Sequence, residues 1–254
     1  MDRSYKRRLF FFLWISCLAG GMTVIPYLLT NPLMAPLLRS LPLPALVVSV
    51  LAQSAVFFAI FTFLGIWLGE KVGLGVPFLQ ARLQGHPLPG FVRTAWRSLG
   101  AGLAAGALLF AMDRYVFAIF IEPITQAQDQ ASWWARLLVC FYGGINEEIC
   151  FRFALMTLLV WLSWKIKATP DRRPTIAGFW IAIVASSVFF GLMHLPMTGD
   201  MVVITPLTVV RAVVLNSFIG IPCGWLFWKK GLEAAILFHF ACDVALHVLL
   251  PLLI

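Results

Sequence analysis

An all-α bundle of about seven membrane-crossing helices is the fold class this sequence predicts, and three observations predict it. Hydrophobic residues make up 61% of the 254-residue chain, charged residues only 12%, and the mean hydropathy is +0.91. That is more apolar surface than one soluble core can hide. Apolar runs recur along the chain, seven of them long enough to cross a bilayer core, which takes roughly 20 helical residues. The basic residues gather in alternate links. Fourteen Lys and Arg fall on the side of the N-terminus, only Arg39 and Arg136 on the other, and Arg114, Arg152 and Arg211 lie within runs. This bias puts the N-terminus inside and the C-terminus outside. The net charge of +8 therefore reports membrane topology, and no nucleic-acid surface is implied.

The runs follow in order. Arg3, Lys6, Arg7 and Arg8 precede Leu9 to Leu29, too long for a cleaved signal and followed by further spans, so it reads as a first span that stays. Pro32, Pro36, Pro42 and Pro44 mark an outer loop, and Pro44 to Leu68 is the second span. Glu70 to Ser98 turns polar and basic, an inner loop with a short interfacial helix around Pro77 to Leu83. Leu99 to Ile121 is the third span, with Gly and Ala spaced for close helix approach and with Asp113 and Arg114 inside it. Glu122 to Ser132 is an outer loop. The fourth span runs from Trp133 to Trp164 and ends at Lys165, Lys167, Arg172 and Arg173. Ile176 to Pro196 is the fifth. A link with Thr198, Gly199 and Asp200 leads to the sixth, Val202 to Trp228, and Lys229-Lys230 turns the chain into the seventh, Leu232 to Ile254. With no repeat, low-complexity tract or long linker, residues 1–254 read as one membrane domain.

The costliest stretch is Gly143-Gly144-Ile145-Asn146-Glu147-Glu148-Ile149-Cys150-Phe151-Arg152. An ionisable side chain at bilayer depth costs roughly 2.5–3.5 kcal/mol on insertion scales, so three within six residues ask for a function. Glu148 and Arg152 stand at i,i+4 in the favourable order and pair along one face. Glu147 is turned about 100° away, which leaves it free for chemistry. Two later clusters could meet it. His194 ends an apolar helix just before Pro196, where a lone imidazole is more often structural than catalytic, and His239 shares a helix face with Asp243. Glu147, His194, His239 and Asp243 together offer a base, two imidazoles and a carboxylate from three spans, the equipment for adding water to a carbonyl. One difficulty stands in helix counting: His194 lies far along its span from the inner loop and His239 only two turns in. They meet only if the fifth span overhangs or tilts, or the link after His194 re-enters the membrane.

The order Glu-Glu-x-x-x-Arg, Phe-x-x-x-His, His-x-x-x-Asp resembles the CPBP intramembrane proteases, which include the type II CAAX prenyl endopeptidases. The resemblance covers about Ala131 to Leu249, and Gly73-Leu74-Gly75-Val76-Pro77-Phe78-Leu79 is similar to a loop of bacterial members. It implies an endopeptidase acting on a membrane-associated, CAAX-type peptide, at home in a bacterial inner membrane. By resemblance Glu147 would activate water with His194, His239 and Asp243 would hold the oxyanion, and Glu148 and Arg152 would support the base. Asp243 stands where eukaryotic CAAX proteases have Asn. An ionised Asp cannot donate to an oxyanion, so it is protonated, orients His239 or helps hold a metal.

No metal is required on this reading, and there is no His-Glu-x-x-His helix. The contrary case has Glu147, His194, His239 and Asp243 converging on zinc. His247, one further i,i+4 step from Asp243, reads as interfacial. The five cysteines all lie in apolar runs without Cys-x-x-Cys spacing and read as small buried hydrophobes. The competing function is a non-catalytic scaffold or bacteriocin-immunity protein that binds a peptide or partner helix. A receptor reading prompted by Asp113-Arg114-Tyr115 fails on charge bias, because such receptors carry their N-terminus outside. Asp113 is left to neutralise Arg114 or a partner such as Arg211.

Overall fold

The computed structural model describes residues 3–31, 42–120, 131–199 and 203–253. The described residues are helical apart from short links, and one isolated bridge, between Ala168 and Pro174, is the extended pairing among them. Among the described residues seven helices are long and apolar enough to cross a membrane: α1 (Arg3–Thr30), α2 (Leu43–Val72), α4 (Phe91–Phe117), α5 (Trp133–Ile166), α6 (Ile176–Met193), α8 (Pro206–Lys230) and α9 (Leu232–Leu253). Two short helices join them, α3 (Pro77–Leu83) and α7 (Leu195–Gly199). Large apolar side chains such as Val48, Phe57, Ile60, Trp96 and Ile181 face outward, while Ser54, Thr62, Ser98, Asn146, Ser186 and Ser187 are buried. That is the inverse of a soluble protein, and it is what a lipid solvent selects.

The boundaries correct the sequence reading where helices outrun their apolar stretches. α1 begins at Arg3 rather than Leu9, carrying the basic residues on its first turns. The inner loop expected over Glu70 to Ser98 shrinks, because α2 continues to Val72 and α4 starts at Phe91 rather than Leu99. α2 stops where Gly73 adopts a left-handed φ of 77° and returns its N–H to Gly69 O, a cap that glycine takes without steric cost. α3 lies where the interfacial helix was expected. α8 begins at Pro206 rather than Val202, behind a capping box between Thr205 and Thr208. Pro32, Pro36 and Arg39 of the first outer loop, residues 122–130 of the second, Asp200 and Val202 lie outside the described residues.

Two pairings set the bundle: α6 lies on α8 and α4 on α9, with α1 against α2 and α5. The α4–α9 contact depends on Gly102 and Gly106, where any Cβ would run into the carbonyls of Phe238 and Cys242. Those carbonyls flank His239 and precede Asp243, so the third span's small residues position the seventh span's polar ones. At the other end of α9, Leu79 N–H donates to Glu233 Oε1 (2.8 Å) and Leu232 N–H to Gly75 O (3.1 Å), which ties α3 to the start of the last span.

Candidate active site

The acidic stretch does not form a plain α-helix. Backbone bonding widens to the i→i+5 pattern over Tyr142–Glu147 and again over Ile149–Met156, a departure that tends to accompany functional sites. The glycines before the carboxylates have a packing reason. A Cβ on Gly143 would collide with Asp243 Oδ2 and lie 3.7 Å from His239 Nε2, and one on Gly144 would press on Phe240 Cβ at 3.0 Å. α5 and α9 therefore approach closely at the depth where both carry their ionisable groups. Asn146 fixes the other side of the same turn, donating from Nδ2 to Cys17 O of α1 (2.9 Å).

The wider turn changes the expected ion pair. Arg152 Nε lies 3.6 Å from Glu148 Oε2, with both side chains fully buried, but neither Glu148 Oε2 nor the three Arg152 nitrogens finds a hydrogen bond. An i,i+4 step in a widened turn no longer brings the two ends into bonding register. Arg152 instead packs 5.0 Å from the centroid of the Phe190 ring. Glu148 has a partner that spacing could not reveal: His239 Nδ1–H donates to Glu148 Oε1 at 2.8 Å, across 91 residues.

Of the roles open to Asp243, orienting His239 through a direct hydrogen bond is not the one adopted. Asp243 Oδ1 is 3.7 Å from His239 Nε2, beyond hydrogen-bond reach, and Glu147 Oε2 is 3.8 Å from the same nitrogen. Glu148 orients the ring. The opposite nitrogen looks between two carboxylates, Glu147 from α5 and Asp243 from α9.

His194 reaches the same place despite the helix-counting difficulty. It caps the C-terminus of α6, and its Nδ1–H donates to Phe190 O at 2.8 Å. That assigns the tautomer and leaves Nε2 with its lone pair. The ring stands edge-on to Phe190 at 4.6 Å, and Phe190 is also edge-on to His239 at 5.8 Å. One aromatic ring thus separates and spaces both imidazoles.

Glu147, His194, His239 and Asp243 line a cavity of about 480 Å³ between the helices. His247, read as interfacial, belongs to its wall, where α9 continues through a further widened stretch, Ala245–Leu249. Asp113 and Arg211 line it as well, joined by two bonds of 2.6 Å from Arg211 Nε and Nη2 to the two carboxylate oxygens. Asp113 therefore pairs with Arg211 across α4 and α8, and Arg114 is exposed. The remaining wall carries no charge and includes Gly21, Val24, Leu28, Val50 and Ser54 from α1 and α2.

Glu147, His194, His239 and Asp243 are of the donor types a divalent cation takes, but no three of them bring their ligand atoms within 4.8 Å of one another among the described residues. Each imidazole has its other nitrogen held by an oxygen, His239 by Glu148 and His194 by Phe190 O, the arrangement that orients metal-binding histidines. A second grouping, Glu148, Cys223 and His239, brings a carboxylate oxygen, a sulfur and a ring nitrogen within 4.8 Å of one another. It is fully buried, Glu148 and His239 already bond one another, and the Arg152 guanidinium stands beside the carboxylate, so a cation there would face repulsion.

Comparison with known proteins places this arrangement. No curated protein and no solved structure gives a significant match to the chain. Residues 129–245 match the family model described as type II CAAX prenyl endopeptidase Rce1-like. The match takes in all three polar motifs and every one of Glu147, Glu148, Arg152, His194, His239 and Asp243. It accounts for a little under half of the chain, and over that segment the chain is similar to the type II CAAX prenyl endopeptidase Rce1-like family.

Proposed function

We propose that this protein is an endopeptidase that hydrolyses a peptide bond of a membrane-associated peptide, of the CAAX type that the family description names, with Glu147 as the base. The observation that carries the reading is the convergence of three spans on one cavity. Glu147 and Asp243 approach His239 Nε2 to 3.8 and 3.7 Å, on the wall of a cavity that His194 shares.

In this mechanism water sits between the Glu147 carboxylate and His194 Nε2, which keeps a lone pair because Nδ1–H is spent on Phe190 O. Glu147 takes a proton as the water oxygen adds to the scissile carbonyl. The negative charge moves to the carbonyl oxygen, and Glu147 returns the proton to the leaving nitrogen as the C–N bond breaks. His239, held at Nδ1 by Glu148, donates from Nε2 to the oxyanion in its imidazolium form. Asp243 assists in its protonated form, since an ionised carboxylate has no donor. Asp243→Asn should therefore retain activity, because Asn supplies an N–H at every pH. Loss of activity in that variant would remove Asp243 from the oxyanion role.

No bound ion is needed in these steps. A divalent cation held by Glu147, His194, His239 and Asp243 would supply a polarised water in place of a free one. Elemental analysis of active protein, with activity before and after strong chelation, separates the two schemes. Zinc lost in parallel with activity and restored with it would overturn the ion-free one.

The direct test of the function is a panel of lipid-modified and unmodified peptides presented to the purified protein in detergent, with products read by mass. Cleavage at one internal bond, faster for the lipid-modified peptide, is the expected result. Tight binding without cleavage would favour the scaffold or immunity reading, and the home membrane expected here is a bacterial inner membrane.

A further inference from the structure

A second hollow, of about 350 Å³, lies away from the active-site cavity, between α1 and α2, and is lined by Lys6, Arg7, Phe10, Phe63, Ile66 and Trp67. Its residues are ordered by depth. α1 enters the bundle where α2 leaves it, as the Lys6–Glu70 ion pair (2.5 Å) shows. Lys6 and Arg7 are one helical turn from Phe10, and Trp67 is one turn from Phe63, each turn rising about 5.4 Å. The hollow is thus cationic at its mouth, has an indole at the next level and is purely apolar below.

The charge at the mouth is not self-neutralised. Lys6 is engaged by Glu70, but Arg7 is exposed and pairs with no carboxylate among the described residues. Arg3, Arg8 and Lys71 add positive charge at the same end, and Lys71 Nζ lies 3.6 Å from the Trp67 ring centroid. Trp67 stacks on Phe63 at 6.4 Å and 12°. Both rings stay substantially exposed, Phe63 at 61% and Trp67 at 46%. An aromatic wall open to the lipid phase beneath an unpaired guanidinium matches one class of molecule in both halves.

We propose that this hollow binds an anionic phospholipid from the bilayer, its phosphate on Arg7 with Lys6 beside it and an acyl chain along Phe10, Phe63 and Ile66. The commitment to an anionic headgroup follows from the charge. A zwitterionic lipid brings its own ammonium into a cationic mouth and loses the attraction that a net negative headgroup keeps. The inference is independent of the peptidase reading, because none of the six lining residues belongs to the active-site cavity.

The test is native mass spectrometry of the full chain in detergent with equal amounts of phosphatidylglycerol and phosphatidylcholine. Wild-type protein should retain phosphatidylglycerol in preference. Arg7→Gln should weaken that retention roughly fivefold, the effect of one cation near a membrane surface. Arg8→Gln removes the same charge one residue away, from a side chain outside the hollow, and should retain the lipid. Both positions are exposed, so both variants fold. Equal retention of the two lipids, equal loss in both variants or no loss in Arg7→Gln would overturn the proposal. Displacement of the lipid by inorganic phosphate at matched ionic strength would reduce the hollow to a simple anion site, whereas no displacement supports a lipid site.

Discussion

The two walls of the active-site cavity are built from different halves of the chain and differ in kind. α5, α6, α8 and α9 contribute Glu147, His194, Arg211, His239, Asp243 and His247, so nearly every ionisable group comes from the half that carries the family match. α1 and α2 contribute Gly21, Val24, Tyr27, Leu28, Val50, Gln53 and Ser54, with no charge among them. The contrast teaches how labour is divided: the ionisable groups are concentrated where α5 and α9 meet to atomic precision, and the uncharged remainder of the cavity is shaped by α1 and α2. Asp113 on α4 is the exception, and its bidentate bond to Arg211 joins the two walls.

The sharpest way to break the contrast is to remove the base. Glu147→Gln keeps the shape and deletes the proton acceptor, so peptidase activity should fall about 10²–10⁴-fold, the range of a general base, with expression and melting unchanged. Activity equal to wild type would end the assignment. Glu148→Gln should fail differently. It strips the last charge near Arg152, whose nitrogens have no hydrogen bond, and breaking a buried pair typically costs about 3–5 kcal/mol. Loss of folded protein should dominate, and adding Arg152→Gln should recover stability. A double variant no more stable than the single would show that Glu148 does not compensate Arg152.

Next in size is Gly143→Ala. A methyl group there meets Asp243 Oδ2, and overpacking of this kind costs typically about 1–3 kcal/mol. The strain falls on the α5–α9 seam, so activity should drop more than melting temperature, roughly tenfold against a few degrees. An unchanged kcat would show that Asp243 can move without consequence.

How much was legible in the sequence follows from the range of the interactions involved. Span number and a short helix at Pro77–Leu83 rest on local composition, and the structure agrees on both. Helix ends were misread at Arg3 and Phe91 because polar and basic residues sustain a helix after hydropathy has dropped. Pairing within the site was legible in part: Glu148 and Arg152 form the expected i,i+4 ion pair at 3.6 Å, without a hydrogen bond. Spacing arguments assume 3.6 residues per turn, and the stretch from Tyr142 to Met156 abandons that period. They also see only one helix, so they offered His239 no partner beyond Asp243, and its hydrogen bond to Glu148 stayed hidden. The glycines 143 and 144 carried the missing signal: two adjacent residues without side chains in a bundle mark a close approach, here to α9.

The smallest effect is expected on the wall without charge, where it should appear as selectivity. Val50 of α2 lines the cavity, is half-buried and is none of the groups assigned to chemistry. Val50→Ala enlarges the cavity from the wall that α2 supplies. A pocket contact of one or two methyl groups is worth about 1–3 kcal/mol in discrimination. The variant should therefore shift kcat/KM by roughly tenfold between two peptides that differ only in the bulk of one apolar group. Its kcat on the smaller peptide should stay near wild type, because the water, the base and the donors are untouched. Parallel measurement on Leu28→Ala tests whether α1 and α2 act as one surface, since the two side chains line the same cavity from neighbouring helices. A uniform fall in kcat for both peptides would place Val50 among the residues that hold the polar wall in position, and the division between the two halves would not hold. A change in preference at constant kcat would locate specificity in the half of the chain that the family match does not reach.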